Sequence, residues 1–339
     1  MHFHLKGVLS SVLLLLILFW YIFVGIKDKQ EPRGVKKSFS VFKAKHPIRP
    51  SKGDLIFTSL GVDFPSLFAA SFPEPRCDTK QVLMVLVTSA PRNVGAREVI
   101  RKTWAAKEKW APFAWQTVFL IGQTLADGIT QRIQKEQQNF GDILVGDYLD
   151  TYRNLTLKVM HGLKWATERC QPDYILKTDD DCFVNSDRLP MFLAVHNTIK
   201  TGLYVGALFS QEKRKVIREP SSLWYVARED YWPDEYPPYV SGIGYILSLD
   251  VASKLLLMAE YIHPIPVEDA YIGILATEAG IQVKASRRFA KYNMKWRVCN
   301  YRYLMVIHHV STQGQELANV NMVKARTACR NNTEVIHWK

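Results

Sequence analysis

The chain has 339 residues, of which 47% are hydrophobic and 22% are charged, and its formal net charge at pH 7 is +12. This length and composition predict a globular protein with one large domain or two small ones. The basic residues are spread along the chain and form no nucleic-acid-binding motif, which argues against a nucleic-acid partner. We therefore assign the excess positive charge to an anionic ligand or a membrane surface.

The first predicted element is an apolar segment without formal charges, residues 7–26. About 20 such residues cross a bilayer once, so we predict a transmembrane signal anchor behind a short cytoplasmic tail, residues 1–6. A cleaved signal peptide is the alternative, although its apolar core is usually shorter. The basic residues that follow would leave the bulk of the chain in the cytoplasm by the positive-inside rule. Two Asn-x-Thr sequons, at Asn154 and Asn331, favour a luminal domain instead.

Residues 27–75 are rich in Lys, Pro, Ser and Gly and are predicted to form a stem, followed by a globular domain over 76–339. The five cysteines are Cys77, Cys170, Cys182, Cys299 and Cys329. They show no spacing typical of a zinc site. Cys182 lies inside a predicted central strand and is expected to be a buried thiol. The other four could form two disulfides in an oxidising compartment.

The globular domain begins with a predicted strand over 81–87, a turn that includes Ser89, and a helix over 96–104. Arg97 and Arg101 are four residues apart and share one face of that helix. A strand, a tight turn and a helix with paired arginines suit phosphate binding.

The next elements alternate in the same way. Strands are predicted at 117–121 and 142–145, with an exposed polar helix at 125–139 between them. A further helix begins after Asp150 and ends near Arg169. Strands that alternate with helices at these intervals predict βαβ units and a mostly parallel sheet.

Three adjacent carboxylates, Asp179, Asp180 and Asp181, follow the apolar run 174–176 directly. Like charges this close repel one another, and a divalent cation relieves the repulsion because hard cations prefer carboxylate oxygen. In an open α/β sheet, the carboxyl end of a strand is also where ligands bind. The alternative interpretation is a solvated acidic turn.

Aromatic rings and carboxylates are interleaved over residues 224–238, a combination that suits a sugar because rings stack on its C–H surface. A packing loop explains the same composition equally well. Two glycines, Gly242 and Gly244, follow within 239–245, where they would allow the backbone to approach a ligand closely. We expect loop 209–235 to determine the choice of acceptor.

The remaining predicted elements are helices at 186–197 and 250–260 and strands at 202–208 and 303–310. The last strand carries His308 and His309. Their side chains should point to opposite faces, so at most one of them is expected to reach the site.

Six motifs occur in order between residues 80 and 310: REVIRKTW, FLIG, DTYRNLTLK, KTDDDCFVN, YPPYVSGIGYILS and EDAYIG. In these motifs the chain resembles the β-1,3-galactosyltransferase and β-1,3-N-acetylglucosaminyltransferase family of Golgi enzymes. The resemblance implies an α/β domain of the glycosyltransferase A type that binds a UDP-sugar with Mn²⁺. It also implies a type II anchor in the Golgi membrane with the catalytic domain in the lumen.

The motifs and the resemblance together predict four groups of site residues. The metal ligands are Asp179, Asp181 and His308, with Asp181 the direct ligand and His309 facing away. The donor-binding residues are Ser89, Arg97, Arg101, Lys158 and Asp180. The acceptor-binding residues are Trp224, Tyr239, Gly242 and Gly244. The catalytic residues are Glu268 and Asp269, with Asp269 as the general base.

The chain departs from the family at two positions. Val240 stands where many relatives have Cys, which implies that one family disulfide is absent and accounts for the odd number of cysteines. Cys182 replaces an aliphatic residue. Asn154 belongs to a family motif, so its sequon is expected to be structural and Asn331 remains the other glycosylation candidate.

The predicted activity is an inverting, metal-dependent transfer of galactose from UDP-galactose to the 3-hydroxyl of a glycan acceptor on a glycoprotein or glycolipid. Two alternatives stay open. One is the same chemistry with UDP-GlcNAc or UDP-GalNAc as donor, and the other is a catalytically silent sugar-binding protein of the Golgi. The sequence is also compatible with a homodimer.

Overall fold

The computed structural model describes residues 72–77, 80–106, 113–332 and 335–338. The predicted tail, the predicted anchor and almost all of the predicted stem lie outside these residues. Among the residues that are described, no helix has the length and apolar character needed to cross a membrane.

Ten strands are present in the described residues. They are β1 (Leu83–Thr88), β2 (Trp115–Gln123), β3 (Ile143–Leu149), β4 (Tyr174–Asp179), β5 (Phe183–Val184), β6 (Tyr204–Leu208), β7 (Val240–Ser248), β8 (Lys284–Ala285), β9 (Phe289–Ala290) and β10 (Val306–Ile307). Seven of them form one sheet in the order β3-β2-β1-β4-β7-β6-β8, and the other three form a small sheet in the order β5-β10-β9.

The large sheet is mixed and mostly parallel, as predicted. Strands β1 to β4 pair in parallel, whereas β7 runs antiparallel to both of its neighbours, β4 and β6. Because of this reversal, the amino end of β7 lies at the same edge of the sheet as the carboxyl ends of β1 and β4.

The helices of the described residues are α1 (Val94–Lys102), α2 (Asp127–Phe140), α3 (Leu155–Trp165), α4 (Leu189–Met191), α5 (Leu249–Ala259), α6 (Glu268–Glu278) and α7 (Thr312–Ala328). Helix α7 was not predicted, because its apolar residues do not follow a clear helical period. It begins at Ser311, whose hydroxyl accepts a hydrogen bond from the N–H of Gly314, a standard N-cap.

The large sheet is buried on both faces. Successive side chains of a strand point to opposite faces, so Leu86 belongs to the apolar cluster beneath α3, α5 and α6. Val87 belongs to the cluster that includes α1, α7 and the small sheet. Burial on both faces explains why β1 reads as a continuous apolar run instead of an alternating one.

One strand prediction and the interpretation of residues 239–245 differ from the structure. The strand expected over 303–310 is reduced to Val306–Ile307, because residues 298–302 form a short 3-10 helix. The segment 239–245, expected to approach a ligand, instead contains the amino-terminal part of β7, which is paired on both sides by β4 and β6. Its glycines allow close packing inside the protein, as described below.

The cysteines are arranged as expected. Cys77 lies beside Cys170 and Cys299 beside Cys329, with Cα–Cα separations of 5.4 and 5.6 Å. These separations are within the range that a disulfide requires. Cys182 is free and buried.

Burial of His161 on α3 predicts a loss of stability at acidic pH. Its imidazole is 3% exposed, and burial lowers its pKa to about 4. In the unfolded chain its pKa is about 6.5, so between those values the unfolded state binds more protons than the folded state. The free energy of unfolding should therefore fall as the pH falls from about 6.5 to about 4, by about 3 kcal/mol in total.

Urea unfolding across this pH range measures the effect of His161. In His161→Gln, this part of the pH dependence should disappear, whereas His337→Gln, at an exposed histidine, should leave it unchanged. An identical pH dependence in wild type and His161→Gln would show that His161 is not its source.

Candidate active site

The candidate site lies where the carboxyl ends of β1 and β4 meet the amino end of β7. The register pairs Thr88 with Asp179 across β1 and β4, and Thr178 with Gly244 across β4 and β7. The three strands therefore bring the acidic triplet, the turn after β1 and the two glycines to one edge of the sheet.

The middle carboxylate of the triplet is held by the turn after β1. Asp180 Oδ2 accepts hydrogen bonds from Ser89 Oγ at 2.7 Å and from Asn93 Nδ2 at 2.9 Å. The structure thus brings together two of the predicted donor-binding residues, Ser89 and Asp180. Asn93, which precedes α1, was missed because nothing in its local sequence distinguishes it from a turn residue.

The outer carboxylates of the triplet belong to a cluster that could hold a metal ion. One ligand atom from each of Asp179, Asp181, Cys182 and His308 lies within 4.8 Å of the others. The Cys182 thiol donates to the carbonyl oxygen of Ile243 at 3.2 Å, and burial raises its pKa. We therefore expect it to remain a thiol, leaving two carboxylates and one imidazole. These ligands fit a divalent cation such as Mn²⁺ or Mg²⁺.

The prediction that His309 faces away from the site is wrong. His308 Nε2 lies 3.3 Å and His309 Nδ1 3.7 Å from the same oxygen, Asp181 Oδ2, and the two ring centroids are 3.8 Å apart. The alternation of a strand does not apply because β10 ends at Ile307 and His309 has a φ of +59°. This left-handed backbone turns the second imidazole back towards Asp181.

Lys177 is buried and contacts carboxylates on both sides of the site. Its ammonium is 2.8 Å from Asp179 Oδ1 and 3.3 Å from Glu268 Oε2, and it donates to the carbonyl oxygen of Gly242 at 2.7 Å. Burial by itself lowers the pKa of Lys177, but the carboxylates of Asp179 and Glu268 outweigh that effect and raise the pKa. The lysine therefore stays charged and links the metal cluster to the acidic pair of α6.

Asp269 stands at the amino end of α6, where the helix dipole favours a carboxylate. The N–H of Gly242 donates to Asp269 Oδ2 at 2.8 Å, and the N–H of Ala270 donates to Oδ1 at 2.9 Å. A Cβ on Gly242 would come within 3.4 Å of the Asp269 carboxylate. Each oxygen has a second lone pair available for an incoming proton donor. Burial raises the pKa of Asp269, which makes it a stronger base.

Glu268 was predicted to be catalytic together with Asp269, but its environment is different and suits a positioning residue. Its carboxyl group is buried between Tyr245, whose hydroxyl donates to Oε1 at 2.5 Å, and Lys177. Burial raises the pKa of Glu268 to about 7, although the ammonium of Lys177 acts in the opposite direction. With 3% exposure it is placed to position Lys177 and not to contact a substrate.

The two arginines predicted to bind the donor are engaged by carboxylates of the protein. Arg97 forms a fork with Glu136 and also donates to Ser89 Oγ at 3.0 Å and to the Ala90 carbonyl at 2.8 Å. Arg101 pairs with Glu136 and Asp142, each at 2.7 Å. Arg97 thus supports the turn that holds Asp180, while all the donor nitrogens of Arg101 are directed to α2 and β3. Glu136 was missed because it lies on a polar helix, where a glutamate is expected to be solvated.

Lys158, also predicted to bind the donor, is buried and holds the same turn. Its ammonium is 2.8 Å from Asp150 Oδ2 and donates to the carbonyl of Ser89 at 2.9 Å. Asp150 in turn accepts from the N–H of Gly122 at the end of β2. The motif that contains both residues therefore fixes the ends of β1 and β2 relative to α3.

The predicted acceptor-binding residues fall into two groups. Trp224 is 50% exposed, and its indole N–H donates to the hydroxyl of Tyr152 at 2.8 Å. These two rings form a rim beside the site. Tyr239 is buried, and Gly273 of α6 allows this because a Cβ there would lie 2.4 Å from the Cβ of Tyr239. Gly244 sits against Val306 inside the protein.

The two sequons occupy different surroundings. Asn154 is half-buried and its side-chain amide donates to the carbonyl of Leu149 at 2.8 Å, as a structural role requires. Asn331 is exposed. A glycan on either asparagine stays a prediction.

An acidic cluster able to hold a divalent cation thus lies at the same edge of the sheet as a separate carboxylate that can accept a proton. On a mixed α/β sheet, this arrangement suits sugar transfer, and the similarity to known proteins shows that the protein is a glycosyltransferase. Sequence comparison gives the family. The family profile described as Galactosyltransferase matches residues 95–287, and the chain belongs to that family.

The chain is also similar to curated members of the family. It is 35% identical over 243 residues to β-1,3-galactosyltransferase 5 of Pan troglodytes, a match that covers 70% of this chain and 81% of the relative. It is 32% identical over 253 residues to β-1,3-galactosyltransferase 1 of Homo sapiens, covering 74% of this chain and 77% of the relative. Among solved structures it is similar to the galactosyltransferase LgtC in complex with donor and acceptor sugar analogues. That match has a TM-score of 0.37 and 10% identity, and covers 71% of this chain and 95% of that one.

Proposed function

We propose that the protein is an inverting β-1,3-galactosyltransferase that transfers galactose from UDP-galactose to the 3-hydroxyl of a glycan acceptor. The observation that carries the proposal is the position of Asp269, whose half-buried carboxylate stands beside the Lys177-linked metal cluster. The similarity to two proteins named β-1,3-galactosyltransferase supports the linkage and the sugar. The fold corresponds to the glycosyltransferase A type.

Asp179, Asp181 and His308 would hold Mn²⁺, because their ligand atoms converge and are of the types that this cation accepts. When bound, the cation offsets negative charge on the diphosphate of the donor. Ser89, Asn93 and Asp180 fix the turn beside this cluster.

In the proposed reaction, a carboxylate oxygen of Asp269 accepts the proton of the acceptor 3-hydroxyl. The acceptor oxygen then forms a bond to the anomeric carbon while the bond from that carbon to UDP breaks, with inversion at the carbon. The N–H groups of Gly242 and Ala270 hold the carboxylate in one orientation. Lys177, buried on the inner side, prevents Asp179 and Glu268 from repelling each other.

We place the catalytic domain in the Golgi lumen, anchored by residues 7–26 as a type II protein. The two cysteine pairs support this, because disulfides form in an oxidising compartment and the structure brings Cys77 to Cys170 and Cys299 to Cys329.

The donor and the metal are tested in one experiment on the full-length protein. UDP release is measured from UDP-Gal, UDP-GlcNAc and UDP-GalNAc with a panel of glycan acceptors, in Mn²⁺ and in EDTA. We expect metal-dependent release from UDP-Gal, and release from one of the other donors alone would replace galactose in the proposal. UDP binding without turnover of any donor would favour the catalytically silent alternative.

Asp181→Asn tests the metal site independently of activity. Because Asp181 supplies a ligand oxygen of the cluster, the variant should bind Mn²⁺ at least about 10-fold more weakly, as followed by the paramagnetic resonance of free Mn²⁺. Asp147→Asn, at an exposed position on β3, is the matched control. Unchanged affinity in Asp181→Asn would remove this residue from the proposed site.

A further inference from the structure

Lys291, which follows β9, holds its ammonium over an aromatic ring at the acceptor side of the site. The nitrogen lies 3.5 Å from the ring centroid of Phe209, and the residue is half-buried. A cation this close to a ring face is attracted by the ring quadrupole, which fixes its position.

Both the lysine and the ring are anchored to site residues. Phe209 packs against Tyr239 with a centroid separation of 4.9 Å, and its N–H donates to the carbonyl of Tyr239 at 3.1 Å. The backbone carbonyl of Lys291 lies 3.1 Å from Nδ1 of His308. The backbone of Lys291 is therefore held at the histidine of the metal cluster, and its ammonium at the loop expected to select the acceptor.

Positive charge exceeds negative charge around the ammonium of Lys291. Burial and the ammonium of Lys213 lower the pKa of Lys291, and the carboxylate of Asp269 acts in the opposite direction. Within the described part of the chain, neither Lys291 nor Lys213 forms an ion pair or a side-chain hydrogen bond. Two ammonium groups beside an open site repel each other. A bound anion would relieve that repulsion, so the two lysines favour an anionic ligand.

We propose that Lys291, assisted by Lys213, binds an anionic substituent of the acceptor, namely a carboxylate, sulfate or phosphate carried by the sugar that presents its 3-hydroxyl to Asp269. The proposal rests on the function proposed above and assigns the class of acceptor. Lys291 is then a specificity-determining residue for the reaction.

The position of Lys291 favours the acceptor over the donor diphosphate as the source of the anion. The diphosphate belongs with the metal cluster of Asp179 and Asp181, whereas the ammonium lies over the ring of Phe209. Phe209 and Tyr239 flank the long loop between β6 and β7, on the side of the site opposite the turn that holds Asp180.

The test uses four probes that share one ring and one free 3-hydroxyl: p-nitrophenyl β-glucoside, its 6-sulfate, its 6-phosphate and p-nitrophenyl β-glucuronide. Their binding to the full-length protein in the presence of UDP and Mn²⁺ is measured by titration calorimetry, so the readout does not require turnover. Wild type is compared with Lys291→Met, which keeps the apolar stem over Phe209, and with Lys291→Arg, which keeps the charge. Lys135→Met, at an exposed lysine of α2, is the matched control.

We expect at least one acidic probe to bind wild type about 10-fold or more tightly than the neutral glucoside, as a charge-assisted hydrogen bond predicts. Lys291→Met should lose most of this preference and change the affinity for the neutral glucoside less than about 2-fold, while Lys291→Arg should retain it. The relative affinities for the three acidic probes identify the substituent.

Equal binding of acidic and neutral probes by wild type would overturn the proposal. So would a loss in Lys291→Met that is the same for all probes, which indicates a structural role, or a loss in UDP affinity, which indicates a contact to the donor. If UDP-galactose fails as donor while the acidic preference depends on Lys291, the proposed donor is wrong and the acceptor site stands.

Discussion

Asp269→Asn should lower kcat by about 10²–10⁴-fold, which is the usual contribution of a general base. Asparagine has the shape of aspartate and can still accept the N–H of Gly242, but it cannot take up the proton of an acceptor hydroxyl. Its amide N–H would meet the N–H of Ala270, so we also expect a small loss of stability, about 1–2 kcal/mol. UDP affinity should be unchanged, because Asp269 supplies no ligand atom to the metal cluster.

The measurement compares kcat, UDP affinity and the free energy of unfolding in wild type and Asp269→Asn. Asp147→Asn, which removes an exposed carboxylate, should match wild type in all three. A folded Asp269→Asn protein with wild-type turnover would show that another group accepts the proton. Glu268 is then not the substitute, because Tyr245 and Lys177 enclose its carboxyl group.

Much of this site could be predicted from the sequence, because its residues lie at strand and helix ends. The acidic triplet follows an apolar run, and Glu268 and Asp269 directly precede the apolar residues of α6. In both places a local pattern determines where the carboxylates lie. The buried sheet and its parallel half could be predicted for the same reason, since β1 and β4 are unbroken apolar runs.

The partners of these carboxylates could not be predicted in this way. Lys177 lies within β4, and its ammonium joins Asp179 to Glu268, which is 91 positions after Lys177 in the chain. Arg97 and Arg101 carry the composition of a phosphate site, but Glu136 and Asp142 neutralise them after folding. Whether a charged side chain faces a ligand or another side chain depends on tertiary contacts that no local pattern contains.

Local backbone conformation was the second reason why predictions from the sequence differed from the structure. The positive φ of His309 breaks the alternation expected along 303–310 and brings both imidazoles to Asp181. Gly242 was interpreted as a point where a ligand approaches. In the structure its N–H and carbonyl hold Asp269 and Lys177. The partner that needs the missing side chain is therefore the protein itself, and a contact of Gly242 with the acceptor stays a prediction.

Lys177→Met should destabilise the protein by about 3–5 kcal/mol, because removing one member of a buried charge cluster leaves the others uncompensated. The lysine is 1% exposed, and without it the carboxylates of Asp179 and Glu268 lose their shared cation. Methionine keeps most of the volume, so loss of packing adds little. The free energy of unfolding from urea titration measures this effect.

A second substitution separates the loss of charge pairing from a general loss of packing at Lys177. Glu268→Gln keeps a group that can accept from Tyr245 and removes one of the two uncompensated charges. In the double variant Lys177→Met/Glu268→Gln, stability should therefore recover by about 1–3 kcal/mol relative to Lys177→Met alone, as expected for residues that share a charge network. Additive effects of the two substitutions would mean that Lys177 acts through packing, and that the link between the metal cluster and the acidic pair is not electrostatic.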